Sequence, residues 1–357
     1  MHIGLIAPPW TPVPPVLYGG TELVVDRLAR GLVAAGHDVT LFASGDSSCP
    51  VPRRSALAVA QGWRIGQAVP ELLHVTAGYQ ALAGCDLVHD HTVAGPLYGE
   101  RLVDLPIVTT AHGPLDGELG SLYQHYDPRI PIVAISHAQR RSSPAVHVDR
   151  VIHHGIDVND FPFGEGRGGY CLFLGRMTEE KGPHRAMEAA SKAGVPLLIA
   201  AKMREADECA YFEKFVQPYL NDRIVYLGEV DHDRKMALLA DATALLFPIR
   251  WNEPFGLVMI EALACGTPVL AFPEGAAPEV IEDGKTGFLC QDEAEMAEAI
   301  AAVPALDRLA CRLAVEEYFC TRRMVAEYVQ LYRDVIDRGP EPPRDGNVLA
   351  SGSPAMT

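Results

Sequence analysis

The stretch Glu253-Pro254-Phe255-Gly256-Leu257-Val258-Met259-Ile260-Glu261-Ala262-Leu263-Ala264-Cys265-Gly266-Thr267-Pro268 decides how the chain is read. Leu257, Ile260 and Ala264 recur at helical spacing, Pro254 suits a first turn, and Gly266 is a C-terminal stop. Glu253 then stands at the mouth of the predicted helix. Free N–H groups of Phe255, Gly256 and Leu257 favour an anion or a sugar hydroxyl there, and the missing side chain at Gly256 permits close approach. Glu261 falls two turns on, roughly 12 Å along the axis and about 80° round, so the two carboxylates cannot share one reacting carbon. They suit opposite ends of an extended ligand. Two acids in an arbitrary helix are more often a cap and a solvated face residue; the flanking Pro-Phe-Gly and Cys-Gly-Thr-Pro shift the balance toward a ligand site.

Strand-like runs flank this helix at 244–247 and 269–272. Upstream runs at 170–175, 197–200 and 224–227 complete one series, and runs at 3–7, 39–43, 87–89, 107–110 and 132–135 form another. Strand and helix in repetition predict a parallel-sheet α/β protein with two sheets. Between the first two runs Val24, Leu28, Gly31 and Leu32 keep helical spacing, Thr21 can cap the start, and Gly36 stops the helix. The apolar-free stretch Gly164-Glu165-Gly166-Arg167-Gly168-Gly169 predicts a linker over 164–169, joining a first domain over 1–163 to a second over 170–315. The linker is the expected hinge. An amphipathic helix is expected over 316–336, then a loose Pro-, Gly- and Ser-rich tail over 337–357.

Three further constellations follow strand ends, where α/β sheets bind ligands. Gly175-Arg176-Met177-Thr178-Glu179-Glu180-Lys181-Gly182-Pro183 opens a helix, with Pro183 in its first turn. Arg176 offers a planar fork and Lys181 a point charge; together they suit a diphosphate, although pairing with Glu179 and Glu180 is the ordinary fate of such cations. Leu17-Tyr18-Gly19-Gly20-Thr21-Glu22 is a glycine loop that lets backbone amides reach phosphate, but it lacks the dinucleotide spacing G-x-G-x-x-G. The histidines form His89-Asp90-His91, His112-Gly113-Pro114-Leu115-Asp116 and His153-His154-Gly155-Ile156-Asp157. For His91 and His154 a structural hydrogen bond is the favoured role. Neighbours on a strand point to opposite faces, which argues against a metal at 89–91.

With 30 Lys and Arg against 46 Asp and Glu, the formal charge is −16, and the first 163 residues hold no lysine. Such a surface repels nucleic acid and anionic lipid, so neither nucleic-acid nor strong membrane binding is expected. Eight cysteines stand singly, without C-x-x-C spacing, which supports reduced thiols and no zinc framework. No basic leader opens the chain and no window reaches the roughly 18 apolar residues of a membrane span, so a cytoplasmic protein is expected.

The stretch 253–261 resembles the E-x7-E signature of retaining glycosyltransferase family 4, and Gly175-Arg176 with Lys181-Gly182 resembles its phosphate-binding arginine and lysine. Gly19-Gly20-Thr21-Glu22, His112, Leu227-Gly228-Glu229-Val230 and residues 278–288 agree, so the likeness runs from residue 1 to about 336. His154 departs from it, since the family usually has Asn before Gly-Ile-Asp. The resemblance implies a GT-B fold: two facing Rossmann-like domains, an interdomain cleft, no dinucleotide cofactor and no metal. It further implies a nucleotide-sugar donor, UDP- or GDP-linked, and a C-terminal helix that returns to the first domain. Arg176 and Lys181 would neutralise the departing diphosphate, with Gly19 and Gly20 closing on it from the other side. Glu253, helped by Phe255, Gly256 and Leu257, would hold the sugar, Glu261 the ribose, His112 would face the sugar, and Val230 would border the base. His89 and Asp116 are candidates for contacting a soluble hydroxyl acceptor. A glycoside hydrolase also needs two carboxylates, but within about 5 to 10 Å across one bond, and it has no use for Arg176 and Lys181. A GT-B sugar-nucleotide epimerase, releasing free sugar without an acceptor, and a non-catalytic sugar-nucleotide sensor would each use the same donor-binding motifs.

Overall fold

Parallel strands covered by helices on both faces bury nearly every side chain, which is why the predicted runs are almost unbroken in apolar residues. The computed structural model describes residues 1–17, 19–102 and 105–338; Tyr18 of the glycine loop and the expected tail from 339 onward lie outside the described residues. The first sheet comprises β1 (His2–Ile6), β2 (Asp38–Phe42), β3 (Arg53–Arg54), β4 (Leu87–Asp90), β5 (Ile107–Thr110), β6 (Ile132–Ala134) and β7 (Arg150–Val151). The second comprises β8 (Cys171–Arg176), β9 (Leu197–Lys202), β10 (Ile224–Gly228), β11 (Ala244–Phe247), β12 (Val269–Ala271) and β13 (Gly287–Leu289). Every pairing is parallel, in the orders β3-β2-β1-β4-β5-β6-β7 and β10-β9-β8-β11-β12-β13. The order reverses between β1 and β4 and between β8 and β11, and each reversal opens a crevice at the strands' carboxyl ends.

Helices α1 (Gly20–Ala34), α2 (Ala68–Ala81), α3 (Pro96–Leu102), α4 (Gly117–Tyr123) and α5 (His137–Ser142) accompany the first sheet. Helices α6 (Pro183–Ala193), α7 (Ala206–Phe215), α8 (His232–Asp241), α9 (Leu257–Ala264), α10 (Ala277–Val280) and α11 (Glu293–Ala302) accompany the second, and α12 (Arg308–Tyr318) and α13 (Thr321–Arg338) end the described chain. Gly36 follows α1 in a left-handed conformation, as its stop role requires, but Thr21 lies inside α1, whose cap is Gly19. In α6 the expected Pro183 is the first residue.

Two expected boundaries move. The segment 164–169 is fastened to the second domain: Gly164 N–H donates to Cys265, Gly166 to Ala240 and Gly168 to Asp241, while Arg308 Nε donates to the Gly164 carbonyl. Backbone bonds of this number remove the freedom that its glycines suggest. Val158 and Phe161 already belong to the second domain's core, so the chain crosses earlier, around Ile156. The helix expected over 316–336 is two helices, broken at Phe319-Cys320. Buried Phe319 joins the core that includes α9, where α12 packs, whereas α13 packs on α1 and sinks Tyr328 and Tyr332 among Ile3, Leu5 and Leu28. The two crossings bond to each other, Ile156 N–H to the Phe319 carbonyl at 2.8 Å and Thr321 N–H to the Ile156 carbonyl at 3.0 Å.

Glu279 of α10 adds a clasp between the halves. Its carboxylate accepts from the N–H groups of His137 (2.8 Å) and Ala138 (2.5 Å) at the start of α5, and from His153 Nε2 at 2.8 Å. Burial pushes this carboxyl up, but the donors outweigh burial and hold it below the usual value.

The α1–α13 contact depends on Gly31, where an added Cβ would stand 2.5 Å from Val325 Cγ2 and 3.0 Å from Thr321 Cγ2. Gly31→Ala is expected to destabilise the protein by about 1–3 kcal/mol through overpacking. Thermal melting checks this, and an unchanged Tm would show that α13 is not tightly seated.

Candidate active site

The crevices of the two sheets face one another across a cleft of about 780 Å³. The first half lines it with Pro14–Leu17, Gly19, Gly20, Arg27, His112 and His154; the second contributes Gly175, Lys181, Lys202, Val230, Lys235, Phe255 and Glu261. Most expected contact residues therefore converge, including Glu253, Gly256 and Leu257.

Helix α9 begins at Leu257, so Pro254 precedes it and Glu253 is not on it. Their separation cannot be taken from helical rise, as the sequence suggested. Gly256 is the reason: it caps α9 at φ +82°, a conformation that turns the chain sharply into the helix and disfavours any side chain. Glu253 is anchored outside the helix by its carbonyl, which accepts from Ala276 N–H at 3.0 Å. Its Oε2 accepts from Trp251 Nε1 at 2.8 Å and from Lys181 Nζ, and that ammonium lies 4.7 Å from the Trp251 ring centroid.

Glu261, only 3% exposed, receives one cation from each half. Lys235 Nζ is 2.8 Å from Oε2 and Arg27 Nη2 is 3.7 Å from Oε1. Burial alone would raise this carboxyl; the two cations outweigh it and hold the group below its ordinary value. Neither cation was singled out from the sequence. Lys235 carries no motif. Arg27 left a signal, because it shares the helical stripe of Val24, Leu28 and Gly31, and an arginine on an apolar stripe needs a buried partner.

Arg176 departs from expectation. It is not among the cleft-lining residues, and its Nε and Nη2 both lie 2.8 Å from Glu208 Oε1. Glu208 is fully buried and fixed by N–H groups of Arg204 and Glu205; burial would raise its carboxyl, but these bonds and Arg176 keep it ionised as a sink for the guanidinium. His89 is not an acceptor contact: it is fully buried, with Nδ1 2.7 Å from the Tyr332 hydroxyl and Nε2 2.8 Å from Thr110 Oγ1. Asp116 is exposed before α4 and does not line the cleft. His112 does, its pKa pushed down to about 4 by burial, with Nε2 2.9 Å from His91 Nδ1. His91 thus has the expected structural bond, while His154 packs on the His112 and Phe255 rings. Among the described residues, no group of three or more His, Cys, Asp or Glu side chains is placed to hold a metal ion.

Residues 18–160 match the family model for Glycosyltransferase Family 4, and residues 160–313 the model for Glycosyl transferases group 1. The chain belongs to glycosyltransferase family 4. This family 4 chain is 28% identical over 352 residues to glycogen synthase of Mycobacterium tuberculosis, covering 81% of this chain and 83% of that protein. It is 29% identical over 348 residues to phosphatidyl-myo-inositol mannosyltransferase of Mycolicibacterium smegmatis, covering 87% and 86%. The structure of Anabaena HepE in complex with UDP-glucose superposes with a TM-score of 0.73 at 19% identity, over 94% of this chain and all of that one. The fold of the family 4 enzyme is GT-B, two facing parallel-sheet domains with the cleft between them.

Beside the cleft, Glu22 occupies the first turn of α1, where the helix dipole favours a carboxylate. Burial is the larger effect and pushes its pKa up to about 7. The folded value lies above the unfolded one, so the native state holds a proton that the unfolded chain has lost between pH 4.5 and 7. Stability attributable to this group must fall as pH rises through that window. Glu22→Gln is expected to raise stability at pH 8 by about 3 kcal/mol and to leave it unchanged near pH 4. Urea unfolding at both pH values checks this; equal effects at the two would rule out a protonated Glu22.

Proposed function

We propose that this enzyme is a retaining glycosyltransferase moving a sugar from a nucleotide-sugar donor to an acceptor hydroxyl without a metal ion. The observation that carries the proposal is the convergence, in one interdomain cleft, of Lys181 on Glu253 at the mouth of α9 with Glu261 beyond it. Glu253 and the N–H groups of Phe255, Gly256 and Leu257 take the sugar hydroxyls, and Glu261 takes the ribose. Val230 borders the base, and His112 faces the sugar. Gly19 and Gly20 approach the diphosphate from the first half. A UDP-linked donor is favoured because HepE binds UDP-glucose within the same fold.

In the proposed reaction the acceptor oxygen attacks the anomeric carbon on the face that the diphosphate leaves. The bond to the phosphate oxygen breaks, its electron pair stays on the diphosphate, and that oxygen takes the acceptor's proton. Charge therefore develops on the leaving group, and Lys181 is the cation seated to meet it. Arg176, held by Glu208 outside the cleft lining, has the smaller part. Pre-positioned cations do here what a metal ion does elsewhere, and a hydrolase, which has no diphosphate to neutralise, is the poorer fit to the site.

Lys181→Ala is expected to lower kcat/KM by about 3 kcal/mol, roughly a hundredfold, and Arg176→Ala by less. The assay is a nucleotide-sugar panel, run with and without hydroxyl acceptors in EDTA, with the product's anomeric configuration read by NMR. Transfer with retained configuration supports the proposal. Full turnover without an acceptor, inversion, or activity that returns only with Mg2+ or Mn2+ overturns the corresponding part.

One observation favours an acceptor embedded in a lipid surface over a soluble one. Trp63 (71% exposed), Ile65, Val69 and Leu73 stand in solvent, with Val69 and Leu73 one helical turn apart on α2. Residues 47–70 carry Arg53, Arg54 and Arg64 and no acid, in a chain of charge −16. Gln61 N–H bonds to the Pro9 carbonyl, which ties this segment to the loop that lines the cleft. Among the described residues no helix is long and apolar enough to cross a membrane, and the proposed contact is through these exposed apolar side chains and arginines. Cosedimentation with anionic liposomes that Trp63→Ser weakens at least fivefold selects the lipid acceptor; its absence at physiological salt selects the soluble one.

A further inference from the structure

The cleft wall supplied by the first sheet is backed by a column of imidazoles. Ring centroids are 4.0 Å apart for His89 and His91, 5.2 Å for His91 and His112, and 5.5 Å for His112 and His154. Burial lowers the pKa of all four, so each ring is neutral near pH 7 and carries one N–H and one bare nitrogen. In such a column the position of each proton is a structural fact with chemical consequences.

His89 has partners on both nitrogens, the hydroxyls of Tyr332 and Thr110. His91 has one. Its Nδ1 meets His112 Nε2 at 2.9 Å, while its Nε2 is buried with no partner among the described residues. Its main chain leaves no slack, since His91 N–H donates to the Ile6 carbonyl at 2.9 Å. One proton lies between the two rings, and there are two ways to place it. If His112 gave the proton, His91 would carry its own on Nε2, a buried N–H with no acceptor, which is the costly kind of orphan. If His91 gives it, Nε2 is a bare lone pair, and unsatisfied acceptors are tolerated better than unsatisfied donors.

We infer that His91 is a positioning residue whose Nδ1–H bond to Nε2 holds His112 in the tautomer protonated on Nδ1. His112 Nδ1 is neither bonded nor sealed off among the described residues, so it is the nitrogen left for a ligand. His112 then offers the substrate a hydrogen-bond donor and has no lone pair with which to act as a base. The inference rests on the proposed sugar-facing role of His112. It is consistent with passing the acceptor's proton to the leaving diphosphate, because a Nδ1–H imidazole cannot receive it.

The test uses full-length protein carrying 15N-labelled histidine, with the His112 resonances assigned by their loss in His112→Ala. Wild type is expected to show His112 protonated on Nδ1 and bare on Nε2; the opposite pattern overturns the inference without any variant. In His91→Leu the His112 proton is expected to move to Nε2 in part or fully. The kcat should fall about tenfold, the worth of one hydrogen bond in the transition state, with donor KM within twofold. His91→Gln, whose amide still donates, should recover kcat to within about threefold of wild type. Native kcat in a folded His91→Leu, with His112→Ala slow, sinks this inference alone. Native turnover in His112→Ala instead sinks the sugar-facing role beneath it.

Discussion

Every residue of the cleft depends on two chain crossings that lie side by side and hydrogen-bond to each other, Ile156 against Phe319 and Thr321. A site shared between two sheets is only as well defined as the relation between them, and a single flexible strand would leave that relation open. Here the outgoing chain is fixed by the returning one. Arg323 reinforces the join, donating from Nη2 to the carbonyls of His153 (2.6 Å) and His154 (3.2 Å), so the segment that carries His154 into the cleft is held from α13. Glu279 strengthens the same join, accepting from His153 Nε2 as well as from the N–H groups of His137 and Ala138 at the start of α5.

Within that frame the electrostatics follow from burial. A carboxylate removed from water costs several kcal/mol unless cations or N–H groups surround it, and the cleft meets the requirement differently for its two glutamates. Glu253 keeps one cation, Lys181, plus an indole N–H, and stays near the cleft's edge. Glu261 lies deeper and takes two cations from opposite domains. The same balance explains Arg176, which Glu208 holds because a fully buried carboxylate requires a partner such as a guanidinium.

The fold was legible because parallel strands announce themselves as apolar runs, and the glycines at 36, 182, 256 and 266 fix element ends by conformations that other residues avoid. Glu253, Gly256, Leu257, Lys181, Val230 and Glu261 could be picked out because each sits in a short segment that a strand end and a helix start position together. What the sequence hid was long-range. Nothing near residues 164–169 reveals that carbonyls of Ala240, Asp241 and Cys265 wait for their N–H groups. The partners of His89 are 243 and 21 residues away, and without them a buried structural histidine looks like a free one at a strand end. Arg27 is the intermediate case: its position in a helical stripe was visible, but its partner across the cleft was not.

The pairing of Arg27 with Glu261 bears on how a ligand enters. Both oxygens of Glu261 face cations, so a ribose hydroxyl arriving there shares or replaces a contact rather than filling an empty acceptor. Of the two cations Arg27 is the weaker holder, at 3.7 Å against 2.8 Å, and it comes from the opposite domain. Displacing Arg27 would loosen a link between the halves, whereas displacing Lys235 would only rearrange the second domain. Arg27 Nη1 has no hydrogen-bond partner among the described residues, so a freed guanidinium in this cleft gains most from an anion. In the proposed reaction the donor's diphosphate supplies one. Exchange of Glu261 for phosphate would keep Arg27 neutralised throughout and carry the link between domains from the protein's own carboxylate to the bound substrate.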